Sequence, residues 1–193
     1  MSKVRRHHSY TYAEYVALES WSSTKHEFLD GDIYAMSGGS DEHAALAAET
    51  IVVLGIAVRG RFCRVYTSDL RVRVEAVDLT TYPDATVICG PIERYEHGPE
   101  TTALNPSIVV EVTSPSSEAY DTGDKLEFYR TIPTLREYVI VSHSERRITV
   151  HARDLSGEWS TTVAIKSGSV KLPPLGAELL VDEIYRNSTI SAD

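Results

Sequence analysis

The chain has 193 residues, of which 42% are hydrophobic and 24% charged, and its formal net charge is −9 at pH 7. These values are ordinary for a soluble globular protein, so we expect one domain over residues 1–193 with its core at about 10–165. The apolar stretch Ala44–Val58 is interrupted by Glu49 and Gly55, so no membrane span is predicted. The acidic excess argues against a nonspecific nucleic-acid binder, which gains most of its affinity by neutralising phosphates.

The first elements have clear sequence signals. Thr11 and Glu14 show the spacing of a capping box, which predicts a helix over about Tyr12–Ser20. Asp30-Gly31 is a strong turn signal and predicts a hairpin within Glu27–Met36.

A long helix is expected after the loop at Ser37–Ser40. Ser40 or Asp41 can cap this helix, which should run to about Val58, with Gly60 placed to end it.

Three strands should follow the long helix. Alternating apolar and charged residues predict one strand over Cys63–Val74, and two β-branched runs predict strands over Ala85–Cys89 and Ser107–Thr113. The polar connection Gly90–Pro106 between the last two is long enough to suggest a functional or mobile loop.

The last elements complete an α/β pattern. We expect a helix over about Tyr120–Thr131, a strand over Glu137–Ser142, and a hairpin pairing Ile148–Ala152 with Trp159–Ile165, before a short helix near Val181–Tyr185. This order predicts a mixed central sheet flanked by helices, with a C-terminal β-hairpin.

Two features bear on the compartment. The basic N-terminus, Met1–His8, leads into no apolar signal-peptide core, which favours a cytoplasmic protein. Cys63 and Cys89 each lie in an apolar segment and are expected to be buried, reduced thiols.

Two carboxylates are the main candidates for chemistry. Asp84 opens one apolar strand, and Glu111 lies near the end of the next. If these strands pair antiparallel, the two side chains lie side by side, where they would repel by roughly 4 kcal/mol at 4 Å and an effective dielectric near 20. A hard divalent cation, Mg²⁺ or Mn²⁺, would offset that repulsion. Taken singly, Asp84 could be a turn residue and Glu111 half of a buried ion pair with an arginine.

A cation near the two carboxylates would complete a hydrolytic site. Lys125 shares a helix face with Asp121 and Tyr129, and it could orient water or stabilise charge developing on phosphate. The alternative is a surface lysine paired with Asp121.

Glu27 is a further catalytic candidate, which could complete the first metal shell or hold a second ion, while Asp121 and His43 are accessory candidates, of which His43 could shuttle protons. Glu27 could equally be an exposed residue at a strand edge, and His43 an exposed residue in the first turn of a helix.

An ordered series of motifs along the chain carries a family resemblance. It comprises Lys25–Gly31, Met36–Gly39 with His43, Cys63–Val65, Ser68–Val72, Tyr82–Asp84, Val110–Ser117, Ala119–Asp121, Gly123–Lys125, Tyr129-Arg130 and Leu135–Tyr138. The series resembles the Uma-type family of restriction-endonuclease-like proteins, within the PD-(D/E)xK nuclease superfamily.

The resemblance implies a restriction-endonuclease-like core with a Mg²⁺-dependent phosphodiesterase site. Asp84 and Glu111 would be metal ligands, Lys125 the catalytic lysine and Glu27 an added acidic residue. Thr113 stands where the superfamily motif has its lysine, a place that Lys125 would fill from the following helix.

Two functions of different classes remain. The first is a metal-dependent endodeoxyribonuclease acting on DNA, for which a symmetric homodimer would supply the two cuts of a duplex. The second is a catalytically silent interaction or regulatory module that retains the nuclease fold, which the acidic composition favours.

Overall fold

A computed structural model describes residues 9–36 and 38–191 of the chain. The predictions for Met1–His8 and for Ser37 lie outside these residues. The helices are α1 (Tyr12–Trp21), α2 (Asp41–Ala57), α3 (Glu118–Thr122), α4 (Asp124–Arg130) and α5 (Val181–Ile184). The strands are β1 (His26–Leu29), β2 (Asp32–Ala35), β3 (Cys63–Thr67), β4 (Arg71–Val74), β5 (Leu79–Thr81), β6 (Ala85–Cys89), β7 (Thr102–Ala103), β8 (Ile108–Val112), β9 (Glu137–Val141), β10 (Arg147–Arg153), β11 (Trp159–Ile165), β12 (Ser169–Leu172) and β13 (Ala177–Leu180).

The strands form three sheets. The central sheet has the order β11-β10-β9-β8-β6-β3 and is mixed, because β8 and β9 run parallel while its other pairs are antiparallel. A second sheet has the order β2-β1-β5-β4-β7, and β12 pairs with β13. The predicted mixed central sheet, flanking helices and C-terminal hairpin are confirmed.

Alternating residues of the central strands feed two apolar cores. Val110 and Val139 face a core shared with α2, β12, β13 and α5. Val109 and Tyr138 face a core shared with α4 and the second sheet. Because side chains alternate along a strand, the central sheet is covered on both faces.

Local signals near the N-terminus are confirmed. The Thr11–Glu14 capping box is present, and Ser40 caps α2 through the backbone N–H of His43. Asp30 (φ 46°) and Gly31 (φ 88°) both take left-handed conformations at the tip of the β1–β2 hairpin, as a type I′ turn requires.

The predicted strand Cys63–Val74 is wrong, because the chain turns at Ser68-Asp69 and divides the segment between two sheets. The hydroxyl of Thr67 accepts a hydrogen bond from the Asp69 N–H, and Lys25 Nζ donates to the Ser68 carbonyl at 2.8 Å. Apolar and charged residues alternate both before and after this polar turn, which is why the sequence pattern predicted a single strand.

The predicted helix Tyr120–Thr131 is also wrong, because it breaks at Gly123 into α3 and α4. A Cβ at Gly123 would lie 2.8 Å from the Ala119 carbonyl oxygen, so only glycine fits the junction. Gly90–Pro106 is not simply a loop, since it contributes β7 to the second sheet.

The two cysteines form a disulfide, which corrects the predicted reduced thiols. Strands β3 and β6 pair antiparallel with Cys63 directly opposite Cys89, a register that sequence spacing alone could not reveal. In the described part of the chain, no helix is long and apolar enough to cross a membrane.

Candidate active site

Two paired strands bring Asp84 and Glu111 to one end of the central sheet. Strands β6 and β8 are antiparallel with Ala85 opposite Val110, so Asp84, one residue before β6, lies at the level of Glu111. The predicted antiparallel pairing is confirmed. Asp84 Oδ2 accepts a hydrogen bond from the backbone N–H of Val112 at 2.7 Å, which holds the carboxylate against the end of β8.

Helix α2 places His43 beside Asp84. His43 Nε2 lies 3.3 Å from Asp84 Oδ2, and the imidazole is partly buried rather than exposed in the first turn. A hydrogen bond to Asp84 raises the pKa of His43, while burial opposes the shift. Gly39 permits this position, because a Cβ there would collide with the His43 ring.

Helix α4 carries Lys125 into a cluster of carboxylates. Lys125 Nζ lies 2.9 Å from Glu27 Oε1, 3.0 Å from Glu111 Oε1 and 3.6 Å from Asp121 Oδ1. Asp121 at the end of α3 and Lys125 at the start of α4 keep this contact across the break at Gly123. Lys125 is therefore a buried residue and not a surface lysine, and it is the partner of Glu111 in place of the arginine considered from sequence.

Glu27 reaches the cluster from β1 of the second sheet. It is 9% exposed, so it is not a surface strand-edge residue, and it accepts a hydrogen bond from the Thr81 hydroxyl. Glu111 accepts a hydrogen bond from the Tyr129 hydroxyl at 2.9 Å. The cluster thus joins side chains from both sheets and α4.

Burial and charge shift the pKa values of the cluster. Burial raises the pKa of Glu111 to about 8, although Lys125 opposes the shift, and burial likewise raises the pKa of Asp121. Burial would lower the pKa of Lys125, but Glu111, Glu27 and Asp121 outweigh it and raise that pKa well above 10.5. The ammonium therefore stays charged. Charge compensation is incomplete when the carboxylates are ionised, since Glu27, Asp84, Glu111 and Asp121 share one ammonium.

The cluster lies in an open cleft of about 1010 Å³. One wall comes from the β1–β2 hairpin and the segment before it, including Thr24, Lys25 and Tyr34. A further part of the lining comes from the Ser114–Ser117 turn and α3, including Tyr120. Asp84, Glu111 and Lys125 all line this cleft, so the structure brings the predicted residues together at a surface that a substrate can reach.

The donor chemistry fits a hard divalent cation. Among the described residues, no group of three or more His, Cys, Asp or Glu side chains is arranged to hold a metal. Mg²⁺ needs only one or two protein carboxylates and fills its other positions with water and substrate oxygens. Asp84 and Glu111 meet that requirement, and the uncompensated negative charge favours a cation.

Sequence reasoning missed some functional contacts. The Thr81 hydroxyl and the Val112 N–H gave no signal, because β5 was not predicted and a backbone donor has no residue signature. Tyr129 did give one, since it lies four residues after Lys125, which lies four after Asp121, and this spacing puts all three on one helical face.

The chain resembles a solved structure in its fold and other proteins in its sequence. The chain shares the fold of a crystal structure described as that of "a putative nuclease belonging to DUF820" from Anabaena variabilis ATCC 29413, with a TM-score of 0.69 and 20% identity over 86% of this chain and 92% of that one. The two proteins therefore share an α/β fold.

A family model identifies the chain more closely. Residues 12–182 match the Uma2 family, described as "Putative restriction endonuclease", and the chain belongs to that family. Two uncharacterised proteins of Synechocystis sp. are similar to it. One, slr1290, is 35% identical over 90% of both chains, and the other, sll1609, is 30% identical over 79% of this chain and 85% of its own length.

Proposed function

We propose that this protein is a Mg²⁺- or Mn²⁺-dependent endodeoxyribonuclease that hydrolyses phosphodiester bonds in DNA. The observation that carries the proposal is the convergence of Asp84, Glu111 and Lys125 in one open cleft. Membership of a family described as restriction endonucleases agrees with it. The proposal places the protein in the cytoplasm, and the homodimer stays a prediction.

Asp84 and Glu111 would hold the cation. When bound, the ion supplies Lewis-acid stabilisation of the phosphate and favours ionisation of water at neutral pH. The Val112 N–H fixes Asp84, and the Tyr129 hydroxyl fixes Glu111, so the ligands are positioned before the ion arrives. Preorganisation of this kind lowers the cost of assembling the site.

Lys125 supplies the positive charge of the reaction. Its three carboxylate neighbours keep the ammonium charged and limit its rotation. From this position it stabilises negative charge that develops on the phosphate or orients the attacking water. His43, beside Asp84, is placed to accept or deliver a proton at the mouth of the cleft.

Cleavage of supercoiled plasmid in Mn²⁺ tests the proposal. We expect wild-type protein to nick the plasmid, EDTA to stop nicking, and Asp84→Asn and Glu111→Gln to abolish it. Nicking that survives both substitutions would show that the activity belongs to a contaminant or to another site.

A second candidate is an interaction module without catalysis. It is favoured by the ion pairs of Lys125, which compensate part of the cluster without any metal. Thermal unfolding in Mn²⁺ separates the candidates, because an ion at 100 times its dissociation constant adds about 2.7 kcal/mol of stability. An unchanged melting temperature, in the wild type and in Glu111→Gln alike, would favour the module.

A further inference from the structure

We propose that the DNA cut at this site is single-stranded, and that its bases stack on Tyr34 and Trp21 at the rim of the cleft. The inference rests on the proposed nuclease function and goes further by naming the form of the substrate. It follows from the exposure of these two aromatic residues, from the connected elements that carry them, and from the scarcity of free positive charge in the cleft.

Tyr34, which lines the cleft, and Trp21, which precedes a cleft-lining segment in the chain, are both exposed aromatic residues. Tyr34 lines the cleft from β2, opposite Glu27 in the strand register, and is 53% exposed. Trp21 ends α1, two residues before the cleft-lining Ser23, and is 91% exposed. Exposed rings of this size at a binding cleft are the platforms on which unpaired bases stack.

Tyr34 and Trp21 belong to connected elements. Tyr34 lies in the hairpin that lines one wall of the cleft, and Trp21 ends the helix that leads into the cleft-lining residues Ser23, Thr24 and Lys25. Residues 22–25 connect Trp21 directly to β1, and the Met36 N–H donates to the Lys25 carbonyl at 2.9 Å at the end of the hairpin that carries Tyr34. The Tyr15 hydroxyl of α1 donates to the His26 carbonyl at 2.9 Å, which ties α1 to β1. A single strand entering the active site would pass along this wall.

The cleft offers little positive charge for gripping a duplex. Among its described lining residues only Lys25 and Lys125 are Lys or Arg, against five carboxylates: Glu27, Asp84, Glu111, Asp121 and Asp124. Both lysines are engaged, since Lys25 Nζ lies 2.8 Å from Asp69 Oδ1 and Lys125 is buried in the cluster. Proteins that hold duplex DNA commonly neutralise several phosphates. Stacking on bases, which a duplex hides, is the interaction that this rim provides.

Matched oligonucleotides test the form of the substrate. Initial cleavage rates in Mn²⁺ are compared for a single strand, the blunt duplex of the same sequence, and that duplex with an unpaired tail. We expect the single strand and the tail to be cut at least tenfold faster than the blunt duplex, with cuts confined to the unpaired part. Equal rates on blunt duplex and single strand would overturn the inference and leave the nuclease proposal standing.

Substitutions at the rim test the stacking. Stacking of a base on an aromatic ring is worth roughly 1–3 kcal/mol, so Trp21→Ala and Tyr34→Ala should each raise KM for the single strand at least about fivefold with little change in kcat. Tyr34→Phe should keep the wild-type KM, because it keeps the ring. The matched control is Phe62→Ala, which removes an aromatic residue that is 79% exposed and lies in the connection between α2 and β3, a segment that contributes no residue to the cleft lining. Unchanged KM in both alanine variants would overturn the inference.

Salt dependence and fluorescence give two further readouts. With at most one phosphate contact, KM for the single strand should rise less than about threefold between 50 and 200 mM salt, whereas a duplex-binding surface with 6–10 contacts loses about 10³–10⁵ in affinity. In Trp159→Phe, Trp21 is the remaining tryptophan of the two. Its fluorescence should be quenched saturably by single-stranded oligonucleotide in Ca²⁺ and not by blunt duplex. A steep dependence of KM on salt, or absence of quenching, would contradict the proposal of a single-stranded substrate. Failure to cleave any DNA would instead overturn the proposed nuclease function.

Discussion

Glu111 and Glu137 are buried glutamates on neighbouring parallel strands, and they differ in what surrounds them. Burial raises the pKa of each to about 8. Glu111 has Lys125 at 3.0 Å and the Tyr129 hydroxyl at 2.9 Å, and it lines the cleft. Glu137 lies opposite Ile108 at the start of β9, and neither carboxylate oxygen has a hydrogen-bond partner among the described residues.

The comparison teaches that burial alone does not indicate a functional carboxylate. Both residues have the same shift in pKa, but only Glu111 converges with other charged groups in an accessible cleft. Glu137 therefore serves as a matched control for every claim about Glu111.

The largest expected difference between the two glutamates is in activity. Glu111→Gln removes a proposed metal ligand and should lower Mn²⁺-dependent cleavage by at least about 10³-fold, as loss of a key electrostatic group commonly does. Glu137→Gln should stay within about twofold of the wild type. Initial rates on one labelled single-stranded oligonucleotide measure both, and an equal loss in the two variants would contradict the comparison.

Loss of the Lys125 ammonium should have the largest effect on stability. Lys125→Met leaves Glu27, Glu111 and Asp121 buried without their shared partner, and breaking a buried ion pair in this way costs about 3–5 kcal/mol. Urea unfolding at pH 7.5 without metal measures the cost. The double variant Lys125→Met/Glu111→Gln should recover part of it, and a single variant as stable as the wild type would show that the cluster is not tightly coupled.

Glu137 should make stability depend on pH. Its folded-state pKa of about 8 lies above the ordinary value of 4.5, so the folded protein binds more protons between those values. Stability contributed by the protonated group is present below about pH 4.5 and is lost as pH rises through 8. Glu137→Gln should therefore match the wild type near pH 5 and exceed it by on the order of 3 kcal/mol near pH 8.5.

Urea unfolding of the Glu137→Gln variant across this range gives the measurement. A difference from the wild type that is constant with pH would show that Glu137 does not titrate abnormally.

The smallest expected effect concerns the hydroxyl groups of two neighbouring tyrosines. Tyr129→Phe removes a hydrogen bond to a carboxylate and should cost about 2 kcal/mol, since bonds to charged groups are worth about 1.5–3 kcal/mol. Tyr138→Phe removes a bond to the Asp121 backbone carbonyl and should cost about 1 kcal/mol. Urea unfolding at pH 9, where Glu111 is ionised because its pKa is about 8, measures both costs, and equal costs would contradict this difference.

Much of the fold could be predicted because its signals are local. The Thr11–Glu14 capping box, the Asp30-Gly31 turn and the β-branched runs before and after the Gly90–Pro106 connection each identify an element. The predictions that were wrong concern features that depend on contacts between residues far apart in the sequence. The turn at Ser68-Asp69 is held by Lys25, which lies 43 residues before Ser68. The disulfide depends on the register of β3 against β6.

The candidate site was predictable only as a set of residue types. Antiparallel pairing of two strands was enough to place Asp84 at the level of Glu111. The sequence could not show that Glu27 would arrive from a separate sheet, or that Gly123 would divide the predicted helix into α3 and α4. The convergence of site residues from two sheets depends on how the sheets pack, which the periodicity of apolar residues does not predict.

The most direct test of the central claim is a crystal soaked in MnCl₂ and measured at the manganese absorption edge. The account predicts an anomalous peak within coordinating distance of both Asp84 and Glu111 carboxylates, and no such peak in Glu111→Gln. A well-ordered cleft that lacks this peak in the wild type, or a peak that persists in the variant, would contradict it.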